Sequence, residues 1–365
     1  MTVDPPVAPD VRPLVDALLA AALKQRASDI HIEPALTGYD VRFRIDGVLE
    51  TYRRLEPASG RAVVGRLMVM AKLLTYRLDV PQEGRLSTHA APDDCPEDRP
   101  VELRLSVMPT IHGLRAALRM PAEHVQPAVL EDLDLPPSVV QGLTDFASGD
   151  SGMMILTGPA GSGKTTTIYA LLRQILRLSP GVSIVALEDP VERDLPGVTQ
   201  IEVSPFGQLT YEKALRSILR QDPQVLMLGE IRDAPTASLA VQAALSGHRL
   251  ITALHAATPA GALARLLEMG IEPYQLTSSI HGIVAQRLIR RTSPDGYRGR
   301  VPLAELILMD SPLKKAVMDR ADADAFAKIY RTQTGYQRLH EVGQELVNKG
   351  ITDESELNRV IDRSK

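Results

Sequence analysis

Cysteine is almost absent. The 365 residues contain one, Cys95, so no intrachain disulfide can form and a cysteine-rich zinc site is excluded. A reducing compartment is the natural setting for such a chain. Neither sign of charge dominates. With 41 basic and 45 acidic residues the net charge is −4, which removes a global basic field for gripping nucleic acid while leaving room for local patches. No run approaches the ~20 consecutive apolar residues that cross a bilayer. The opening MTVDPPVAPDVRP carries prolines and acids in place of a charged-then-apolar leader, so no secretion signal is read. Internal repeats and low-complexity runs are also missing. What is left is 44% hydrophobic and 24% charged, the balance of an ordinary globular protein with core material for two or three domains. The chain reads as cytoplasmic, and any association with a membrane has to come through a partner.

Residues 1–13 read as a loose lead-in. Helical spacing follows in LVDALLAAALKQ (14–25), then strand-like alternation in DIHIEP and YDVRFRIDGVLETYRRL, with a turn at Asp46-Gly47. Helical spacing returns over 61–76. VELRLSVMPT and LRAALRM read as strands, preceded by a polar loop at 91–100. Together these predict a small α+β domain over 14–120. Prolines at 121, 127, 136 and 137 mark a linker over 121–137. From 138 the pattern changes: MMILTG, a glycine-rich loop, the helix TTIYALLRQILRL, then the apolar strands VSIVALED, VLMLGE and LITALH. Buried strands alternating with helices predict an α/β domain with a parallel sheet covered on both faces. After Arg291 one short strand, PLAELILM, precedes a helical subregion, about 292–365.

The strongest local signal is the run Gly158, Pro159, Ala160, Gly161, Ser162, Gly163, Lys164, Thr165, which fits G-x-x-x-x-G-K-[ST] between an apolar strand and a helix. Glycines let the backbone curl so that successive N–H groups point at phosphate oxygens, and the helix that opens at Lys164–Thr166 offers its positive end to the same anion. Lys164 is placed to reach the β- and γ-phosphates of ATP, and the Thr165 hydroxyl to ligate Mg²⁺.

Binding becomes hydrolysis only with a carboxylate that holds the metal or orients water. In open parallel sheets functional groups collect at the carboxyl ends of strands. Glu188 and Asp189 follow one apolar run, and Glu230 follows another. Taken singly, such acids often cap helices or face solvent; two clusters downstream of an intact phosphate loop favour catalysis. Glu188 and Glu230 therefore join Thr165 as candidate metal or catalytic ligands, with the division of roles between the two acids open. His248 and His255 flank the strand LITAL and fit one histidine at each end of it. Arg216 and Arg220 are four apart, hence on one helical face. Met68, Met70, Met153 and Met154 read as core, the acids at 93, 94, 97 and 98 as a solvated loop, and Cys95 as having no role.

In order and spacing, GPAGSGKTTTIYA, LEDPVE, LRSILRQDPQVLMLGEIRD and VQAALSGHRLITALHAATPAGALARLLEMGIEPYQLTSSIHGIVAQRLIRR make the chain resemble the secretion ATPase superfamily of type II secretion and type IV pilus assembly, the GspE/PilB group. ASDIHIEP, VRFRIDGVL, PQEGRL, LRLS and ALRM extend the resemblance to nearly everything after residue 14. It implies a RecA-like ATPase domain preceded by a smaller PAS-like domain, assembled as a cytoplasmic ring hexamer. It makes Glu188 the acidic-box carboxylate, Glu230 the Walker B glutamate, and His248 and His255 the histidine box. It also implies that Arg104 and Arg119 reach the nucleotide on domain closure, and that Arg216 and Arg220 belong to the helix before Walker B. Two departures stand out: RTSPDGYRGRVPLAEL has no four-cysteine metal insert, and AATPA replaces the usual Thr-Asn pair after His255. The resemblance favours the assembly branch over the retraction branch.

The resulting expectation is Mg²⁺-dependent ATP hydrolysis by an oligomeric motor that acts on an inner-membrane platform protein to build a pseudopilus or pilus-like filament. A nucleotide-gated docking module with negligible turnover and a retraction-type motor are the alternatives. A nucleic-acid motor is disfavoured by the near-neutral charge and the lack of tryptophan.

Overall fold

Two hydrophobic periods, helical and strand-like, alternate along the chain, and elements of both kinds share each core. The computed structural model describes residues 10–88, 101–120, 129–203 and 209–361. The chain separates into one unit ending at Val125 and another beginning at Gln126.

The first unit runs α1 (Arg12–Lys24), β1 (Asp29–Ala35), β2 (Gly38–Ile45), β3 (Val48–Leu55), α2 (Pro57–Met70), β4 (Gln82–Thr88), β5 (Val101–Thr110) and β6 (Gly113–Arg119). Its strands pair antiparallel in the order β3-β2-β1-β6-β5-β4. Period-2 alternation explains the layering. β5 buries Val101, Leu103, Leu105 and Val107 and turns Arg104 outward. Those apolar residues pack with Leu18 and Leu19 of α1 and Val63 and Leu67 of α2. Helix α1 starts at Arg12, inside the expected lead-in, whose residues 1–9 lie outside the described residues. Helix α2 stops at Met70, short of the expected 76, where Ala71 caps it and Lys72 takes φ 56°. Strand β4 was not read from the sequence, because QEGRLST buries only Leu86 and Thr88 and so alternates faintly. The acidic loop around Cys95 lies outside the described residues.

In the second unit a 3₁₀ turn at Leu130–Leu133 precedes α3 (Pro137–Ser148), β7 (Gly152–Thr157), α4 (Lys164–Leu178), β8 (Ile184–Glu188) and β9 (Thr199–Glu202). Then come α5 (Tyr211–Ile218), β10 (Val225–Ile231), α6 (Ala234–Leu245), β11 (Arg249–Leu254), α7 (Pro259–Glu268) and α8 (Pro273–Ser279). The long strands β12 (Ile280–Ser293) and β13 (Gly296–Leu308) are followed by α9 (Ser311–Met318), α10 (Ala323–Tyr330), α11 (Leu339–Asn348) and α12 (Glu354–Ile361). The sheet order is β13-β12-β7-β11-β10-β8-β9. Successive side chains of β7 serve opposite cores: Met153 and Ile155 face the layer containing α5 to α8, while Met154 and Leu156 face α3 and α4.

The expected parallel sheet is a mixed one. Six strands are parallel, but β13 runs antiparallel to β12. Ser293 pairs with Gly296, and a two-residue connection can only reverse the chain, since a parallel crossover needs a dozen residues or more. The helical subregion expected from about 292 accordingly starts at Ser311. No helix among the described residues is long and apolar enough to cross a membrane.

The C-terminal helices are tied to β12 by a buried carboxylate. Glu356 accepts from Arg290 Nη2 at 2.8 Å, from the Arg290 backbone N–H at 3.1 Å and from Arg359 Nε at 2.7 Å. The Arg290 guanidinium lies 3.9 Å over the Tyr297 ring, and Tyr297 donates to Asp353 at 2.7 Å. Burial by itself would raise the Glu356 pKa, but the bonds from Arg359 and Arg290 outweigh it and hold the pKa at about 2. Because the folded pKa is depressed, this stability is complete above the ordinary value of 4.5 and fades as pH falls toward about 2. Removing one member of a buried ion pair costs about 3 kcal/mol. Glu356→Gln is therefore expected to lose about that much in urea unfolding at pH 7, with the gap to wild type narrowing below pH 4.5. An equal gap at pH 7 and pH 3 would contradict the assignment.

Candidate functional site

Strand β7 ends at Thr157 and helix α4 begins at Lys164, so the six residues between them form a loop at the carboxyl rim of the sheet. Gly158, Gly161 and Gly163 adopt φ of 149°, 73° and 88°, values that L side chains avoid. Space is also short at two of them. A Cβ on Gly158 would lie 2.4 Å from the Gln286 carbonyl, and one on Gly163 2.8 Å from Gln286 Nε2. Gln286 and Arg287 of β12 thus form the floor beneath the loop. Gln286 accepts from Thr167 at 2.9 Å, and Arg287 donates to the carbonyls of Gln286 and Ala257. Lys164 Nζ folds back onto the carbonyls of Gly158 and Pro159 at 2.8 and 2.9 Å. Burial lowers its pKa, as does Arg287, with Glu230 acting against them. The Ser162 hydroxyl is buried and makes no hydrogen bond among the described residues. Pro159, Ala160 and Gly161 are the loop's exposed crest, and Thr165 and Thr166 occupy the first turn of α4.

Strands β8 and β10 are neighbours in the sheet, so their terminal acids meet. Glu188, Glu230 and Thr165 line one cavity of about 160 Å³, together with Asp189, Tyr211, Gly229 and Arg232. The two glutamates are held by opposite chemistry. Glu188 is 3% exposed and accepts from two neutral donors, Tyr169 Oη at 2.5 Å and Gln200 Nε2 at 2.9 Å. Burial raises its pKa; those two bonds only partly offset the effect, and Glu192 and Glu202 add to it. Glu230 pairs with His255 Nε2 at 2.7 Å and with the Arg232 guanidinium. Partial burial pushes its pKa up, but the bond and charge of Arg232, helped by His255, bring it below the ordinary value. Arg232 also reaches Asp189 at 3.1 Å, so it bridges the ends of β8 and β10. The β10–β11 ladder shifts register between Leu228 and Ile231, an irregularity of the kind that re-aims a side chain beside a site.

Of the residues singled out in the sequence, the structure gathers Lys164, Thr165, Glu188, Glu230 and His255 at this rim. His248 is elsewhere. It precedes β11, its carbonyl accepts from Gly152 at the start of β7, and its Nδ1 lies 2.9 Å from the Ala243 carbonyl. Six residues of strand, about 20 Å, separate it from the rim. Arg216 is exposed and pairs with Glu212 at 3.1 Å. Helix α5 ends at Ile218, and Arg220 lies just past its C-cap Leu219, where its N–H donates to the Ser217 carbonyl at 3.1 Å. Arg104 and Arg119 belong to the first unit, where they are register partners across β5 and β6. Tyr169 and Gln200 were not singled out in the sequence; Tyr169 is hidden in an apolar helix, and its only signal is a hydroxyl five positions after Lys164.

A strand–loop–helix phosphate cradle at the carboxyl rim of a largely parallel sheet, faced by two acids, defines a P-loop ATPase. The chain belongs to the Type II/IV secretion system protein family, whose model matches residues 8–359. It is similar to the type II secretion system protein HxcR of Pseudomonas aeruginosa, with 38% identity over 375 residues, 97% of this chain and 77% of that one. The type II secretion system ATPase E of Vibrio cholerae shares 36% over 388 residues, 96% and 75% of the two chains. Among solved structures, the ATPase DotB of Legionella pneumophila superposes with a TM-score of 0.73 at 22% identity, covering 100% of this chain and 99% of that one.

The loop geometry makes a direct prediction. Gly158→Ala places a methyl group against the Gln286 backbone, which cannot yield as a side chain would. Strain of this kind is worth roughly 1–3 kcal/mol. A fluorescent ATP analogue should bind at least tenfold more weakly, with a lowered thermal midpoint; unchanged affinity and midpoint would contradict the reading.

Proposed function

We propose that this ATPase is a motor of an assembly-type secretion or pilus machine, and that Glu188 aligns the attacking water. The observation that carries the reading is the cavity shared by Thr165, Glu188 and Glu230 one residue from Lys164. Lys164 exchanges its two loop carbonyls for the β- and γ-phosphate oxygens of ATP. Glu188 accepts a proton from water as the water oxygen bonds to the γ-phosphorus and the bond to the β–γ bridging oxygen breaks, leaving ADP and phosphate. A carboxylate whose basicity is raised by burial suits that task better than one held by cations. Thr165 and Glu230 supply hard oxygen donors of the type Mg²⁺ prefers, in a site with few protein ligands; they would hold the ion, which when bound neutralises phosphate charge. Glu188 was a third candidate for that shell, but its engagement by Tyr169 and Gln200 supports the role toward water instead.

His255, hydrogen-bonded to Glu230, is the residue we assign to reporting the γ-phosphate. Arg104 and Arg119 are assigned to the nucleotide on domain closure. Arg216, Arg220 and His248 do not line the cavity, and we assign them to the boundary with a neighbouring subunit in a ring hexamer. The reading includes a RecA-like second unit, a PAS-like first unit, a cytoplasmic location and an inner-membrane platform protein as the partner that receives the stroke. It favours a pseudopilus or pilus-like filament as the product.

Steady-state phosphate release on the assembled protein tests it. Glu188→Gln keeps the shape of the side chain and removes the base, so kcat should fall by about 10²–10⁴ with the KM for ATP little changed. Equal background rates for wild type and variant would leave only a nucleotide-gated docking module.

A further inference from the structure

Glu188 ends β8 in an apolar wall, yet both its oxygens are occupied from the protein side. Tyr169 donates to Oε2 at 2.5 Å and Gln200 to Oε1 at 2.9 Å. Neither donor is charged, and among the described residues no cation pairs with Glu188. A surface acid is steered by solvent and mobile counter-charges; this one is steered by two fixed points on different elements.

Each donor is itself immobilised. Tyr169 is fully buried, packed in the core that joins α3 and α4 to the sheet. Burial raises the pKa of its phenol far above the ordinary range, so it remains an O–H donor. The Gln200 amide is oriented by the backbone: its Oε1 accepts from the Leu195 N–H at 2.7 Å, and its Nε2 also donates to the Arg193 carbonyl at 2.8 Å. With that orientation set, the amide can present only its NH₂ group to Glu188. A carboxylate has about four lone-pair positions, and these two bonds use one on each oxygen. Glu188 also lines the cavity that Thr165 and Glu230 share.

We infer that Tyr169 and Gln200 are positioning residues that set the aim of Glu188, and that Tyr169 couples this aim to the helix opening at the phosphate loop. Lys164, Thr165 and Tyr169 lie on the same helix, α4. A shift of α4 on binding phosphate reaches Glu188 through one 2.5 Å contact, while Gln200 anchors the other oxygen to the edge strand β9. The aim of the acid is thereby set from two sides, by the helix that opens at the phosphate loop and by the edge strand β9. This inference rests on Glu188 being the group that aligns water.

The test is a kinetic cycle on the full-length assembly with Tyr169→Phe, Glu188→Gln and the double variant. Tyr169→Phe preserves the ring and removes the hydroxyl. Misaligning a catalytic group by about 1 Å costs on the order of 10²-fold. The inference predicts that Tyr169→Phe lowers kcat by about ten- to a hundredfold, with the KM for ATP within about twofold. It further predicts that the double variant turns over within about twofold of Glu188→Gln alone. An unchanged kcat in Tyr169→Phe beside an inactive Glu188→Gln overturns this inference alone. A loss from Tyr169→Phe that is just as large on top of Glu188→Gln also overturns it, because a structural defect acts whether or not the acid is present. Wild-type turnover in Glu188→Gln overturns the water-aligning role, and the inference falls with it. If Tyr169→Phe does not fold, Gln200→Ala tests the claim from β9: a lower kcat at constant KM supports it, and an unchanged kcat overturns it.

Discussion

A carboxylate buried at the end of a strand must be held by something, and what holds it decides what it can do. Two of them lie at the rim of this sheet and are held differently. Glu230 is gripped by Arg232 and His255, which favour its charged form and lower its basicity. Glu188 is gripped by a phenol and an amide, which orient it without neutralising it, and burial keeps its basicity high. Equal side chains a strand apart thereby acquire unequal chemistry. This pairing follows from topology, because β8 and β10 are parallel neighbours whose carboxyl ends open onto one cavity.

The phosphate loop meets the same rim for a related reason. Its strand, β7, lies one strand from β10, with β11 between them, and β11 delivers His255. On the other side of β7, β12 supplies Gln286 and Arg287 as the floor under Gly158 and Gly163. The groups seated under the loop, Gln286, Arg287 and Lys164, are carried on a strand or on the first turn of a helix. The rigidity that the chemistry requires comes from the sheet.

Much of this was legible in the sequence because it is local. The P-loop needs eight consecutive residues and a strand before them, and MMILTGPAGSGKT contains both. Apolar runs ending in acids marked β8 and β10, and VELRLSVMPT and LRAALRM read as strands β5 and β6. Less legible were features that depend on partners distant in sequence. Tyr169 and Gln200 acquire meaning only when the sheet brings them to Glu188, and nothing in TTTIYALL or VTQIEV signals that. Strand β4 escaped because its alternation is shallow; β13 was read in part, as PLAELILM, but its antiparallel direction is set by a two-residue turn. The Arg216–Arg220 spacing suggested one continuous helix, and the helix ends between them, at Ile218. His248 and His255 were correctly read as flanking one strand, and for that reason they cannot both reach the same phosphate.

The most direct measurement is a crystal structure of the assembled protein with Mg²⁺ and a non-hydrolysable ATP analogue. The account predicts that Lys164 Nζ will have left the carbonyls of Gly158 and Pro159 for the phosphates, and that Glu188 will face the γ-phosphorus while still bonded to Tyr169 and Gln200. A triphosphate bound away from the loop, or a Glu188 that has abandoned both donors to pair with a cation, would contradict it.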